Sequence, residues 1–224
     1  MTFSLVARCA RTGQFGVAAV TGVPAVGKLL THAAAGVGAV ATQARVNPYL
    51  GIDGLNLLRQ GLPAGAVRGA LLTTDPAIRF RQFAVIDREG RTATFTGESC
   101  LAWSGALQGD GLSVQGNRLA GPHVLTRAAV RFEAMPDEPL ADRLLEALAE
   151  GVAAGGDAKG EVSATVYVMD TEDYPLWDIR VDDHPEPIRE LRRLHDVFRD
   201  KVVPEIKTMP TRDNPAGEEG EVPI

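Results

Sequence analysis

Strand-like and helix-like segments come in blocks along this chain instead of alternating, and that segregation restricts the fold more than any other feature. Residues 2–8 and 14–20 flank Arg11-Thr12-Gly13, whose glycine suits a tight antiparallel connection. The small apolar run 33–42 reads as one buried strand, Gly36 and Gly38 weighing against the helix its alanines would permit. Helical segments at 51–60 and 63–73 follow, the second opened by Pro63. A hairpin of 81–87 and 91–96 around Arg88-Glu89-Gly90, then short strands within 101–118, make the next block. Helices at 121–134 and 138–153 come after it, the latter with Leu140, Leu144, Leu145 and Leu148 on one face. Strands at 161–169 and 176–181 precede a last helix at 186–202, striped by Ile188, Leu191, Leu194 and Phe198. Blocks of this kind predict an α+β fold, with helices covering two antiparallel sheets in a four-layer α/β/β/α sandwich. One domain is expected over residues 1–207, followed by a loose acidic, proline-containing tail over 208–224.

Composition narrows the function classes. The 224 residues suffice for a substantial core, and 45% apolar with 23% charged residues describes a globular chain and not a disordered one. A net charge of −6, with no Lys/Arg cluster, argues against a nucleic-acid partner, since such binding depends on basic contacts to phosphates. The hydrophobic segments are short and broken by Gly, Pro or charge, so neither a membrane span nor a signal peptide is expected and the location is read as cytoplasmic. Cys9 and Cys100 lie in different segments without a metal or redox spacing and read as reduced structural thiols.

The N-terminal strand starts directly after Met1. The small side chain of Thr2 permits an aminopeptidase to remove Met1, leaving a hydroxyl nucleophile and a free α-amine on one residue. Such an amine titrates near pH ~8, so much of it can serve as a base at neutral pH. Other nucleophile systems are missing from the sequence. No Gly-x-Ser-x-Gly elbow is present, neither cysteine sits in a catalytic motif, and His32, His123 and His195 occur singly.

Four polar clusters sit where apolar strands end. Gln43 and Asn47 offer uncharged hydrogen-bonding groups just before Pro48, and Gln115 and Asn117 flank Gly116, which lets backbone approach closely. Such amides suit an oxyanion or a polar substrate, while capping of loop backbone is the competing role. In Gly155-Gly156-Asp157-Ala158-Lys159-Gly160, Asp157 could pair with the N-terminal ammonium and Lys159 with a carboxylate, although an exposed turn has the same composition. The phosphate-loop pattern is absent there. Strand alternation puts Asp178, Arg180 and Asp182 on one face, which predicts an internal ion network around Arg180. Asp182, Asp183 and His184 could alternatively hold a divalent metal, but no further ligand stands at a recognised spacing and no metal is assigned.

Six blocks in order carry a resemblance: Thr2-Phe3-Ser4-Leu5-Val6-Ala7-Arg8, Gly36 to Gln43, Asn47-Pro48, Val114-Gln115-Gly116-Asn117, Ala154-Gly155-Gly156-Asp157 and Arg180-Val181-Asp182-Asp183-His184-Pro185. Over about residues 2 to 200 the chain resembles the domain-of-unknown-function family 1028, bacterial proteins predicted to be N-terminal nucleophile hydrolases. One departure is Thr21-Gly22, where that family's pattern has Ser followed by a basic residue. The resemblance implies the four-layer fold and Thr2 as nucleophile with its own α-amine as base, but no substrate.

The expected function is hydrolysis of a non-peptide amide C–N bond in a small metabolite. Gln115 or Asn117 would serve the oxyanion, and Gln43, Asn47, Asp157, Lys159, Arg180 and Asp182 would bind substrate or orient the amine. No cofactor is needed for that chemistry, and a homo-oligomer is expected by analogy of fold. The rivals are a cyclohydrolase on the same fold, without a covalent role for Thr2, and a non-catalytic metabolite-binding protein.

Overall fold

β1 (Thr2–Arg8) and β2 (Phe15–Thr21) form the expected opening hairpin, closed where Gly13 takes φ 77° and its N–H donates to Cys9 O at 2.8 Å. The computed structural model of the chain describes residues 2–156 and 160–218. After the hairpin come β3 (Thr31–Ala34), β4 (Gly38–Ala44), α1 (Pro48–Arg59), α2 (Ala64–Leu71), β5 (Arg81–Asp87) and β6 (Thr92–Thr96). They are followed by β7 (Gly105–Gly109), β8 (Leu112–Asn117), α3 (His123–Glu133), α4 (Leu140–Ala153), β9 (Ser163–Met169), β10 (Pro175–Val181) and α5 (Pro187–Val197). The strands build two antiparallel sheets, one of six in the order β10-β9-β2-β1-β8-β7 and one of four in the order β3-β4-β5-β6. The fold is therefore mixed α+β, as the blocks predict.

Strand alternation sorts β1 between two environments. Phe3, Leu5 and Ala7 join a core with Val124 and Phe132 of α3, Leu144 and Leu148 of α4 and Leu191 of α5. Val6 faces the opposite way, into a cluster that draws Val17 and Ala19 from its own sheet and Ala39, Ala41, Ala84 and Ile86 from the other. The remaining faces of β4 and β5 pack Val40, Phe83 and Val85 against Leu50 and Leu58 of α1 and Val67 and Leu71 of α2. Ala39 and Ala41 of the 33–42 run thus line the contact between sheets, where a small side chain is what fits, while Ala34 packs on the helix side.

Three boundaries differ from expectation. Residues 33–42 are not one strand but parts of a hairpin: Gly36 turns at φ 65°, and Val37 N–H donates to Ala34 O at 3.2 Å. The second strand starts on glycine because a Cβ at Gly38 would lie 2.3 Å from Ile86 O on β5. The helix expected at 51–60 begins earlier, since Asn47 Oδ1 accepts from Tyr49 N–H at 3.1 Å and Pro48 occupies the first turn. The helix expected through 202 gives way at Phe198 to a π-helical turn, Phe198–Val202, and a short helix, Val203–Ile206.

The ion network around Arg180 is corrected too. Arg180 lies 3.4 Å from Asp178, but both side chains are more than a third exposed and Asp182 is exposed. β10 is an edge strand, while β3, the outer strand of the four-stranded sheet, packs on β2 and β9, so this face of β10 is only partly covered, Gly27 lying along the Arg180 stem. An ion pair so placed adds little stability. Among the described residues no helix is long and apolar enough to cross a membrane. Residues following the last helix lie against the β9–β10 turn, with Tyr174 Oη donating to Pro210 O at 3.0 Å and Arg212 paired with Asp173.

Gly151 of α4 sits directly on the buried Phe3 ring, where a Cβ would lie 2.5 Å from Phe3 Cζ. Gly151→Ala gains about 1 kcal/mol of helix propensity but must displace that ring. The expected net loss is about 1–2 kcal/mol, read as a lower urea midpoint at unchanged slope.

Candidate functional site

Thr2 begins β1 between Thr21 on β2 and Asn117 on β8, its cross-strand partners on either side. Its Oγ1 lies 3.0 Å from Thr21 Oγ1, one hydroxyl donating to the other. All three residues line a cleft of about 460 Å³ that also takes in Val23, Ala44, Arg45, Phe80, Leu101 and Arg118. A recess of about 150 Å³ beside it shares Thr2, Thr21, Val23 and Ala44 and reaches Gln43.

The backbone around these cavities is unusual. Three described non-glycine residues have clearly positive φ: Ala25 at 63°, Ala44 at 68° and Arg118 at 58°. All three line one cavity or the other. Left-handed conformations cost a side-chain-bearing residue about 1–2 kcal/mol, and their concentration at one place marks a site whose shape is held by the surrounding fold.

A ladder of buried amides lies below Thr2. Gln43 Nε2 donates to Gln82 Oε1 at 2.8 Å and to Gln115 O at 3.3 Å, with Thr2 O at 3.5 Å. Ser4 Oγ donates to Gln43 Oε1 at 2.6 Å and accepts from Gln115 Nε2 at 2.7 Å, and Gln115 Oε1 accepts from Ser113 Oγ at 2.9 Å. Asn117 Nδ2 donates to Gln82 Oε1 at 3.0 Å. Gln82 Nε2 donates to Gly116 O at 2.8 Å, Thr96 Oγ1 at 2.9 Å and Gly105 O at 3.1 Å. Side chains from both sheets are thereby tied together, and the hydrogen-bonding capacity of Gln82 is filled.

The structure brings Thr2, Gln43 and Asn117 together at the cleft walls and places Gln115 one register step deeper, opposite Ser4. Asn47 stands elsewhere: besides capping α1, its Nδ2 donates to Asp75 Oδ2 at 2.7 Å. Arg180 lies along Gly27, and neither it nor Asp182 lines the cleft. Asp157 and Lys159 fall outside the described residues. Among the described residues no three His, Cys, Asp or Glu side chains converge where they could hold a metal ion, and His184 Nδ1 accepts from Glu186 N–H at 3.0 Å.

Sequence reasoning passed over Ser4, Gln82 and Thr21 as members of this network. A signal for Gln82 exists, because it shares its strand face with Ala84 and Ile86 and so puts an amide where alternation demands an apolar residue.

The wall carrying Arg45 is braced by ionic contacts. Arg81 Nε donates to Asp75 Oδ2 at 2.7 Å, and its Nη1 donates to Arg45 O. The Arg81 guanidinium, with help from Asn47 and the Ala77 N–H, outweighs burial and holds the Asp75 carboxyl down at about 2 from its ordinary 3.8. Because the folded value is the lower one, this stabilisation is complete above about pH 4 and is lost as pH falls through about 2. Urea titrations from about pH 5 to pH 2 are expected to show the wild type losing about 2 kcal/mol more than Asp75→Asn.

Residues 2–191 match DUF1028, a family of unknown function. No curated protein is similar to the chain. The crystal structure of protein SPO2555 from Silicibacter pomeroyi, described as DUF1028, is 28% identical, with a TM-score of 0.89 over 96% of this chain and 98% of that one. Anbu (ancestral beta-subunit) from Yersinia bercovieri is 10% identical, with a TM-score of 0.44 over 91% of this chain and 97% of that one. The family pattern thus spans both sheets and every residue of the amide ladder beneath Thr2, and this chain belongs to the DUF1028 family.

Proposed function

We propose that this protein is a single-domain N-terminal nucleophile hydrolase of four-layer α/β/β/α architecture, in which Thr2, freed by removal of Met1, cleaves an amide C–N bond of a small metabolite. The layering is supported by the three apolar clusters, one between the sheets and one between each sheet and its helices. The chemistry rests on one observation. Among the described residues lining the cleft at Thr2 there is no Asp, Glu, His or Lys, and the ionisable side chains are Arg45, Arg118 and Cys100.

Arginine keeps its proton at any pH of interest. Burial pushes the Cys100 thiol up, and its Sγ–H donates to Arg81 O at 3.3 Å. The α-amine of Thr2 is then the base best suited to neutral pH. Thr2 Oγ1 attacks the carbonyl carbon while its proton passes to that amine. One N–H of Asn117 is committed to Gln82 Oε1, and the other, which has no partner among the described residues, serves the oxyanion. Breaking the C–N bond takes the proton from the ammonium to the leaving nitrogen. Water, deprotonated by the amine, then releases the acid from the Thr2 ester and restores the hydroxyl. Gln43 and Gln115 are positioning residues here, and Asp157 and Lys159 would orient the amine or the substrate.

Intact mass of the untagged full chain, before and after a β-lactone probe, tests this reading. Loss of Met1 with a single adduct on Thr2 is expected. Retained Met1 without an adduct overturns it and favours a cyclohydrolase or binding role.

A further inference from the structure

The geometry points to a substrate bearing a carboxylate held by Arg45 and Arg118, with an apolar group at Val23 and Leu101; as a statement about a substrate this rests on the hydrolase reading above. The two arginines come from opposite sheets. Arg45 follows Ala44 at the end of β4, and Arg118 follows Asn117 at the end of β8, yet both line the cleft that contains Thr2. Each is reached through a left-handed residue, Ala44 in one case and Arg118 itself in the other. The backbone of both is secured: Arg45 O accepts from Arg81, and Arg118 N–H donates to Leu101 O at 2.9 Å. Strained backbone maintained on both sides of one cavity indicates that the placement of these side chains matters.

Among the described residues their charges are unanswered. Among the described residues no carboxylate pairs with Arg45 or Arg118, although the neighbouring Arg81 is paired with Asp75. No Asp or Glu among them lines the cleft either. In a chain of net charge −6, two uncompensated guanidinium groups over a cavity of about 460 Å³ form a local positive site of metabolite size. A guanidinium is a planar fork that matches a carboxylate, and being always charged it cannot serve as the base. The same mouth is apolar: Val23 is 57% and Leu101 60% exposed, and Arg45 Cζ stands 5.9 Å from the Phe80 ring centroid. A cleft with a cationic pair, an apolar rim and the Thr2 hydroxyl in its lining fits a small N-acylated amine that carries both a carboxylate and a hydrocarbon side group.

Calorimetry on the full chain with N-acetylleucine, its uncharged analogue N-acetylleucinamide and inorganic phosphate tests the inference. The acid is expected to bind about tenfold or more tightly than the amide, the value of a charge-assisted pair. That advantage disappears in Arg45→Gln and in Arg118→Gln and persists in Thr2→Ala. Equal affinities, failure of the acid to bind, a preference that survives both arginine substitutions, or tighter binding of phosphate overturns the inference. β-Lactone labelling of the same preparations separates the two readings. Labelled Thr2 without a preference for the acid rejects the carboxylate site alone, whereas the preference with unlabelled Thr2 rejects hydrolysis and keeps the arginine pair as a ligand site.

Discussion

Thr2→Ala protein is expected to remain folded, to take up no β-lactone, and to lose turnover of any substrate amide by about 10⁴-fold or more, the scale on which removal of a covalent nucleophile acts. The substitution deletes one hydroxyl, whose partner in the fold is Thr21 Oγ1 at 3.0 Å. Its cost in stability is about 1 kcal/mol, far too small to unfold a domain whose core lies elsewhere. Thr2→Ser keeps both the hydroxyl and the α-amine and retains labelling. Mass spectrometry of the adduct beside a melting curve makes the comparison. Acylation of Thr2→Ala at the wild-type rate would remove Thr2 from the chemistry.

The largest loss of stability is expected from Gln82→Leu. Leucine nearly matches the side-chain volume, so no sizeable cavity confuses the result. What disappears is a fully buried hub that accepts from Gln43 and Asn117 and donates to Gly116 O, Thr96 Oγ1 and Gly105 O. Several of those partners are themselves buried and have no water to replace the amide. Stranding them costs about 3–4 kcal/mol, less than the simple sum because neighbouring side chains relax. Urea denaturation followed by circular dichroism reads the change, and a loss below about 1 kcal/mol would show that the ladder closes up without its hub. Since Gln82 also holds Asn117, a slower rate of Thr2 labelling should accompany the lower midpoint.

Much of the local structure is legible in the residues. The leucine stripe of α4 and the glycine turns of both expected hairpins are short-range signals. Each depends on the backbone preferences and periodicity of a few neighbours. The run 33–42 is misread for a physical reason: alanine and glycine fit a strand, a turn and a helix almost equally well. Pairing with β5 then decides that the chain reverses at Gly36.

The site divides along the same line. Thr2, Gln43 and Asn117 can be picked out because a polar residue at the end of an apolar strand is visible in one dimension. That Asn47 caps α1 and is not part of the cleft emerges only from the structure. Arg45 and Arg118 lie 73 positions apart in the chain. Nothing near either one distinguishes it from the other surface arginines until two sheets bring β4 and β8 to the same opening.

The sequence by itself determined the segregation of strands from helices, the hairpin that opens the chain and the threonine at its first strand position, because these follow from short-range preferences. Only the tertiary structure decided that Gln82 bridges the two sheets, that the Asp178–Arg180 pair stands at the surface, and that two arginines with no carboxylate partner among the described residues share a cleft with Thr2. Those relations depend on strand register and on the packing of one sheet over another, which sum contacts between residues far apart in the chain.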